Sequence, residues 1–232
     1  KDYYEKQDEV EKKKTYVVSI MPCTAKKAEI LRPDNQTEGR QDTDIVLTTI
    51  EVIRMIRQVG IKFEELEGEA PDMPFGMASG GASIFGVTGG VTEAVLRHLS
   101  PNHDHKTLDE ISFSGVRGTD GFKEAVATVG THEVKIAIIH GLGNAGKLLE
   151  RIKAGEASYD FVEVMACRRG CILGGGQPLP MGGRTRKGRT EGIYRVDQQS
   201  SIRFTDDNPM LKQIYEDVIA GKEHKLLHRN KE

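Results

Sequence analysis

Short apolar runs alternate along the chain with stretches in which apolar residues recur every three or four positions. The clearest runs span residues 15–21, 134–140 and 161–167, with weaker ones at 44–49, 74–79 and 110–116. Helical periodicity marks residues 50–60, 89–100, 145–155 and 207–228, and linker-like stretches span 32–42 and 178–192. This alternation predicts one α/β domain, with a mainly parallel sheet flanked by helices.

Length and composition indicate a globular protein with a substantial core. The chain has 232 residues, of which 29% are charged and 37% hydrophobic, and its formal net charge is −2. This charge balance lacks the excess of basic residues that proteins binding nucleic acid carry, and no apolar run is long enough to cross a membrane. The first residues lack the apolar stretch of a signal peptide. We therefore expect a soluble cytoplasmic protein without nucleic acid or membrane partners, and the missing initiator methionine indicates a fragment.

Three cysteines follow predicted strands, where the sites of α/β proteins gather. Cys23 follows the first run, and Cys167 and Cys171 follow the run at 161–167. An odd count in a cytoplasmic protein argues against a disulfide framework, and Cys-x3-Cys is wider than the usual redox pair. Neighbouring glycines and basic residues suit iron–sulfur ligation, which needs N–H donors and positive charge near the thiolates. The spacing favours a metal or cluster site, while free thiols and thiol exchange remain open.

Two other patterns have chemical interpretations that we consider weaker. Residues 140–149, HGLGNAGKLL, match glycine-rich phosphate motifs, but Leu148 stands where a P-loop has Ser or Thr, so a tight strand-to-helix turn is favoured. The histidines at 103 and 105, and at 224 and 228, lack a suitably spaced third ligand. Surface or packing roles are expected for them.

The cysteines lie in two segments that resemble a known family. Residues 21–29, MPCTAKKAE, and 161–178, FVEVMACRRGCILGGGQP, resemble the second and third signature motifs of the iron-only hydrogenase catalytic domain. Residues 79–97, 114–125 and the HKLLH tail at 224–228 are also similar to family segments. The resemblance covers essentially the whole chain, residues 1–232. It implies one lobe of the C-terminal part of that domain and an enzyme that interconverts protons, electrons and H2.

The resemblance also implies an H-cluster, in which a 4Fe-4S cluster is joined through one cysteine to a two-iron subsite carrying CO, cyanide and a bridging dithiolate. By this resemblance, Cys23 and Cys167 are terminal ligands of the 4Fe-4S cluster. Cys171 is the thiolate that bridges it to the two-iron subsite. Gly174 and Gly175 are expected to form a close backbone wall of the cluster pocket.

The surroundings of the two-iron subsite follow from the same resemblance. The ammonium of Lys26 is expected to donate a hydrogen bond to a cyanide of the distal iron. Met21 and Met165 are expected to pack their thioethers against the two-iron unit, and Phe85 with Gly86 to help close the pocket. A dry cavity with one or two aimed donors suits an anionic cluster, because charge-assisted hydrogen bonds are strong at low dielectric.

The chain departs from the family pattern in two respects. The first family motif, which carries the fourth cluster cysteine and the proton-relay cysteine, has no counterpart here, and neither do the ferredoxin-like N-terminal domains. We therefore expect the isolated chain to lack H2 activity. Arg169 stands where the family usually has glycine. If that backbone adopts a positive φ, arginine costs about 1 kcal/mol of strain.

The expected partners are the rest of the catalytic domain, a ferredoxin or NAD(P)-linked electron-transfer subunits, and maturation proteins. Two alternatives remain. One is a hydrogenase-like iron–sulfur protein of cytosolic cluster assembly, which shares the cysteine motifs without the two-iron subsite. The other is a sensory hydrogenase-like module, for which Arg169 is the only hint.

Overall fold

The computed structural model describes residues 1, 14–37, 39–70, 72, 77–118, 121–129 and 131–227. The chain divides into two compact units. The first unit contains residues 1–75, 175–178 and 212–232, and the second contains residues 76–174 and 179–211.

The first unit is built around a parallel pair of strands. Strand β1 (Val18–Met21) pairs with β4 (Ile45–Thr48), with Val18 opposite Ile45. Between them lie helix α1 (Lys26–Glu29), a 3-10 turn (Pro33–Asn35) and the small antiparallel pair β2 (Gln36–Thr37) and β3 (Arg40–Gln41). Helix α2 (Thr49–Gln58) and a 3-10 turn (Phe63–Glu65) follow. Helix α8 (Pro209–Gln213) leads into the C-terminal part of this unit, with a π-helical segment (Ile214–Ile219) and helix α9 (Glu223–Leu227).

Helix α2 begins directly after strand β4 because its first residues form a capping box. The hydroxyl of Thr48 accepts a hydrogen bond from the backbone N–H of Glu51 at 3.3 Å, and the backbone N–H of Thr48 donates to the Glu51 carboxylate at 2.7 Å. These bonds satisfy N–H groups that a helix start leaves open. The bonds from Thr48, together with Lys27, lower the pKa of Glu51 to about 2.

The second unit holds a three-stranded sheet in the order β5, β6, β7. Strand β5 (Phe122–Val129) pairs antiparallel with β6 (His132–His140), and β6 pairs in parallel with β7 (Phe161–Met165). The helices are α3 (Gly80–Ser83), α4 (Gly90–Leu99), α5 (His105–Phe113), α6 (Leu142–Lys153) and α7 (Gly183–Gln199). The 3-10 turns are Ile84–Gly86, Cys171–Leu173 and Thr205–Asp207.

Strand β6 is buried on both of its faces, which explains its continuous apolar sequence. Alternate residues contribute to two separate clusters. The first cluster contains Leu96, Ile111, Val116, Ala127, Ile136 and Ile138. The second contains Ala137, Ile139 and Leu148. Helices α4 and α5 therefore pack on one face of the sheet and α6 on the other, which confirms the predicted α/β class.

A buried network of ion pairs joins helix α4 to helix α7. Arg97 is 1% exposed and donates to Glu93 and Asp197, each at 2.6 Å. Arg117 also donates to Glu93, and Arg203 donates to Asp197 at 2.7 Å. Burial alone would raise the pKa of Asp197, but the hydrogen bonds from Arg97 and Arg203 outweigh it and hold that pKa below its usual value. Each buried charge thus has a partner, as buried ions require.

Several predicted elements differ from those observed. The predicted strand at 110–116 is wrong, because residues 105–113 form helix α5, whose start is capped by the side chain of Asp104 bonding to the backbone N–H of Thr107 at 2.7 Å. The predicted linker at 178–192 is also wrong from residue 183 onward, where helix α7 begins. Of the strand predicted at 74–79, residues 74–76 lie outside the described part and 77–79 are not a strand.

Candidate functional site

In the second unit, Cys167 and Cys171 lie on two consecutive tight turns just after strand β7. The backbone N–H of Gly170 donates to the carbonyl of Cys167 at 3.2 Å, and that of Gly174 donates to the carbonyl of Cys171 at 2.8 Å. Neither thiol is in a disulfide, and both residues are partly buried. The structure thus presents the two side chains from one short, internally bonded segment.

Gly170 lets this cysteine segment approach the predicted pocket residue Gly86. Its φ is 89°, and a Cβ there would lie 2.7 Å from the carbonyl oxygen of Gly86 and 2.9 Å from the backbone nitrogen of Thr88. Any larger residue would clash with that backbone. Gly86 therefore lies beside the cysteine turn, while the side chain of Phe85 is 49% exposed.

Arg169 adopts a positive φ, the conformation in which an arginine at this position is expected to be strained. Its φ is 67°, the only positive φ of a non-glycine residue in the part of the chain that the structure describes. A left-handed conformation costs an ordinary residue roughly 1–2 kcal/mol. The turn between the cysteines thus keeps a side chain where glycine would be free of strain.

Glu163 fixes strand β7 to the start of helix α4. Its carboxylate accepts hydrogen bonds from the backbone N–H of Gly89 at 2.7 Å, the N–H of Thr92 at 2.8 Å and the hydroxyl of Thr92 at 2.7 Å. Glu163 is 4% exposed. A buried carboxylate at a helix N-terminus satisfies open N–H groups and complements the helix dipole. This anchor lies four residues before Cys167 in the chain and holds the end of its strand.

In the first unit, Cys23 lies in the loop between strand β1 and helix α1, against the last residue of the triple glycine. The backbone N–H of Gly176 donates to the carbonyl of Pro22 at 2.9 Å. A Cβ on Gly176 would lie 2.9 Å from the backbone nitrogen of Cys23, and one on Gly175 would lie 3.2 Å from the hydroxyl of Thr24. Gly175 and Gly176 therefore allow a close backbone contact with the Cys23 loop, and the cluster-pocket wall expected at Gly174 and Gly175 stays a prediction.

Met21 and Lys26 share a cavity of about 160 Å³ in the first unit. The ammonium of Lys26 donates to both carboxylate oxygens of Glu29, at 2.7 and 2.6 Å. An ammonium has three donors, so one N–H remains for a further acceptor. In the second unit, Met165 ends strand β7, and its carbonyl accepts a hydrogen bond from the N–H of Gly141 at 2.7 Å.

These residues suit an iron–sulfur group in their donor chemistry. None of the three cysteines is in a disulfide, and all are partly buried. Cys167 and Cys171 lie on turns that contain glycine, and Cys23 lies in a loop against Gly176. Thiolates on glycine turns with exposed N–H groups are the ligands that such clusters use. Among the described residues, no three His, Cys, Asp or Glu side chains are grouped as a metal site. Cys23 belongs to the first unit and the other two cysteines to the second.

The weaker sequence patterns have ordinary structural roles. Gly141, with φ of 87°, forms the turn from strand β6 to helix α6, while Gly143 and Gly146 face open space. This supports the interpretation as a strand-to-helix turn. Nδ1 of His103 lies 2.7 Å from a carboxylate oxygen of Asp207. In the histidine pair at 224 and 228, residue 228 lies outside the described residues.

Three residues that shape this region were not predicted from the sequence: Glu163, Gly170 and Gly176. Glu163 offered a signal, because an acid inside an apolar strand is buried and needs partners. Gly176 belongs to the triple glycine that drew attention, but its contact with the Cys23 loop is a long-range one. Gly170 is recognised only from its contact with Gly86.

Two family models match the chain. "Iron only hydrogenase large subunit, C-terminal domain" matches residues 1–175, and "Iron hydrogenase small subunit" matches residues 183–230. The chain therefore carries segments similar to both subunits. Within the part that the structure describes, no helix is long and apolar enough to cross a membrane.

Several curated proteins are similar to the chain. "NADP-reducing hydrogenase subunit HndD" of Solidesulfovibrio fructosivorans is 42% identical over 98% of the chain and 40% of its own length. "Periplasmic [Fe] hydrogenase large subunit" of Nitratidesulfovibrio vulgaris is 47% identical over 73% of the chain and 40% of its own length. "Cytosolic iron-sulfur assembly component 3" of Pongo abelii is 30% identical over 98% of the chain and 50% of its own length. The chain thus spans half or less of the length of these relatives.

Solved structures with the same fold include [FeFe]-hydrogenases. HydA(deltaEFG) gives a TM-score of 0.73 at 33% identity, covering 95% of this chain and 65% of its own. A variant of HydA1 from Chlamydomonas reinhardtii gives a TM-score of 0.71 at 33% identity, covering 91% of this chain and 61% of its own.

Proposed function

Because the chain belongs to the iron-only hydrogenase large-subunit family, matching its C-terminal domain over residues 1–175, we propose that it forms part of a catalytic H-cluster domain. In the intact protein this domain reversibly converts protons and electrons to H2. Support comes from the 42% and 47% identities to proteins named as hydrogenases, compared with 30% to the named assembly component.

The observation that carries the proposal is the cysteine segment of the second unit. Cys167 and Cys171 emerge from consecutive turns, and Gly170 brings the backbone of Gly86 against them. Neither thiol is used in a disulfide. A glycine-containing, internally hydrogen-bonded turn that presents two cysteine side chains outside any disulfide suits the ligation of an iron–sulfur cluster.

We assign the roles of the ligands as follows. Cys23 and Cys167 would hold the 4Fe-4S cluster as terminal ligands, and Cys171 would join it to the two-iron subsite. When bound, this group supplies the electron transfer and the H2 chemistry. Gly174 and Gly175 let the backbone close on the cluster, and the bond from the N–H of Gly174 to the carbonyl of Cys171 fixes that turn.

The remaining site residues would orient the two-iron subsite. Lys26, with two of its donors held by Glu29, would offer its third N–H to a cyanide ligand. Met21, Met165 and Phe85 would supply apolar contact to the subsite. Charge-assisted hydrogen bonds are strong where water is excluded, so this role requires the site to be closed from solvent in the intact protein.

The partners follow from the incomplete coverage of the relatives. We propose that the rest of the catalytic domain completes the site, that electrons pass through a ferredoxin or NAD(P)-linked subunit, and that maturation proteins assemble the cluster. The name of the Solidesulfovibrio relative, an NADP-reducing hydrogenase subunit, supports a multi-subunit partner. The cytoplasmic location stays a prediction, since one relative is named periplasmic and another cytosolic.

Substitution of the bridging cysteine tests the proposal in the intact, matured protein. We expect Cys171→Ser to abolish H2 production and the infrared bands of CO and cyanide, because the two-iron subsite loses its link. Cys23→Ser, which changes only a terminal ligand, is expected to reduce the 4Fe-4S content, measured by its iron and its electron paramagnetic resonance signal. Wild-type H2 production by Cys171→Ser would contradict the assignment.

Cluster assembly is the second candidate function, supported by the 30% identity to an assembly component over 98% of the chain. It predicts an iron–sulfur signal without CO or cyanide bands, and transfer of a cluster to a recipient apoprotein. Hydrogenase function predicts the bands and H2 turnover, so infrared spectra of the same sample separate the two.

A further inference from the structure

The second unit contains a cavity that the proposed hydrogenase chemistry does not use. It has a volume of about 370 Å³ and is lined by the turn after Cys167, the start of helix α7 and the loop at Val87 and Thr88. Pockets for small ligands begin at about 300 Å³. The cavity is therefore large enough for a small organic molecule.

Four cations line this cavity, and two of them already have partners. Arg117 is bonded to Glu93 at 2.7 Å and lies over the ring of Tyr194, at 4.1 Å from its centre. Lys187 is paired with Glu191 at 3.5 Å on the exposed side of helix α7. These contacts neutralise one part of the cavity wall.

The other two cations, Arg169 and Arg186, form no ion pair with any residue that the structure describes. Both line the cavity. Nε of Arg186 is buried and has no hydrogen-bond acceptor. A guanidinium without an acceptor is a strong site for a carboxylate or a phosphate, which its fork of N–H groups matches in geometry.

The conformation of Arg169 is a second, independent observation. Its φ of 67° places a side chain where only glycine would be free of strain. Strained residues cluster at binding sites, and an observed outlier motivates a functional hypothesis. This arginine directs a positive charge into the cavity at a cost in backbone strain.

The start of helix α7 adds a third favourable element. The helix has 17 residues, its N-cap residue Gly182 has no side chain to cap it, and Gly183 lines the cavity. The N–H groups of the first turn are therefore open, and the helix dipole places partial positive charge there. Oxyanions bind at such helix starts.

The rest of the wall is apolar or neutral. Val87, Ile172, Leu173 and the ring of Tyr194 form it. Burial raises the pKa of the Tyr194 phenol, so this side chain stays neutral. A ligand that fills the cavity therefore needs an anionic head and an apolar body.

We propose that this cavity binds a small organic oxyanion, a phosphate monoester or carboxylate whose head lies between Arg169 and Arg186 and whose apolar body packs on Ile172 and Leu173. The site is separate in its residues from the three cysteines assigned to the cluster. The proposal does not depend on which family activity the intact protein has.

Calorimetric titration of the intact protein at low ionic strength tests the proposal, with phenyl phosphate as the probe. Inorganic phosphate carries the head alone, and phenol carries the body alone. We expect phenyl phosphate to bind with a 1:1 stoichiometry and at least tenfold more tightly than either of the other two. Equal binding of phenol and phenyl phosphate would overturn the role of the arginines.

The variants compare cations inside and outside the cavity. Arg169→Gly, which also relieves the backbone strain, and Arg186→Gln are each expected to weaken phenyl phosphate binding at least tenfold. Arg184→Gln removes the same charge from an exposed position on helix α7 outside the cavity lining, and should change the affinity less than twofold. Equal losses in all three variants would indicate non-specific attraction. That result would overturn the proposal. The absence of any binding, as expected if other parts of the polypeptide fill the cavity, would overturn it as well.

Discussion

The anchor at Glu163 gives the most direct prediction from the geometry. The substitution Glu163→Gln keeps the shape of the side chain but replaces one carboxylate oxygen with an NH2 group. Glu163 accepts from Gly89 at 2.7 Å with one oxygen, and from the N–H and hydroxyl of Thr92 at 2.8 and 2.7 Å with the other. An amide has one acceptor oxygen, so in either orientation one backbone N–H of the helix start faces a donor.

The cost follows from the bonds that are lost. A hydrogen bond to a charged group contributes about 1.5–3 kcal/mol, and a buried donor left without an acceptor costs a similar amount. Loss of the negative charge at the helix start removes a further 0.3–1 kcal/mol, approximately. The lost bond and the unsatisfied donor describe the same change and are not added, so we expect the opening free energy of the first turn of helix α4 to fall by about 2–4 kcal/mol. At about 1.4 kcal/mol per tenfold change, this corresponds to roughly 30- to 700-fold faster amide exchange.

Hydrogen exchange measured by mass spectrometry on a peptide covering residues 84–99 of the intact protein provides the assay, since exchange reports local opening. Glu133→Gln is the matched control, because Glu133 is exposed on the adjacent strand β6. Less than threefold acceleration in Glu163→Gln, or the same acceleration in both variants, would refute the reasoning.

Three further predictions concern other parts of the chain. Thr48→Ala should destabilise helix α2 by about 1 kcal/mol through loss of the cap, seen as faster exchange of its first amides. The pKa of Glu51 is lowered to about 2 in the folded state. The contribution of Glu51 to the cap should therefore be complete above about pH 4.5 and lost as the pH falls toward 2. Asp197→Asn should lower the free energy of unfolding by about 3–5 kcal/mol at neutral pH, because it leaves buried arginines unpaired. The pKa of Asp197 is lowered in the folded state. The difference in unfolding free energy from wild type, measured in urea, should therefore shrink as the pH falls below about 4. Lys26→Gln should shift the infrared bands of cyanide and reduce H2 turnover at least tenfold, while Lys27→Gln, which removes the same charge from a lysine bonded to Glu51, should leave both unchanged.

Two strands of the second unit, β6 and β7, were predicted from their apolar runs. Burial on both faces explains the run in β6, whereas β7 carries the buried Glu163 and a half-exposed Val164. Strand β5 was not predicted, because Lys, Glu and Thr interrupt its apolar residues. Helix α5 was missed because the apolar positions of 110–116 also fit an alternating pattern. The signal that identifies it is Asp104, three residues before Thr107, where the carboxylate caps the helix.

Helix α7 could not be predicted from local sequence, because its three glycines lower its helix propensity and its closely spaced basic residues repel one another. Its position depends on a tertiary contact instead. Asp197, near its C-terminal end, is held by Arg97 from a helix 100 residues earlier in the chain. Long-range ion pairs of this kind leave no periodic pattern in the sequence.

The chemistry of the candidate site was more predictable than its packing. The cysteines were identified by the spacing and the resemblance of their motifs, and the strain at Arg169 was expected if the backbone turned left-handed there. The contact of Gly170 with the backbone of Gly86 joins segments more than 80 residues apart. Only the fold brings such glycines together.

Infrared spectroscopy of the intact, matured protein tests the central claim most directly. A site in which Cys171 joins a 4Fe-4S cluster to a two-iron subsite predicts stretching bands of CO and cyanide that shift when H2 is added. An iron–sulfur signal without any such band, after maturation that loads a known hydrogenase in parallel, would contradict the assignment of this chain to an active H-cluster domain.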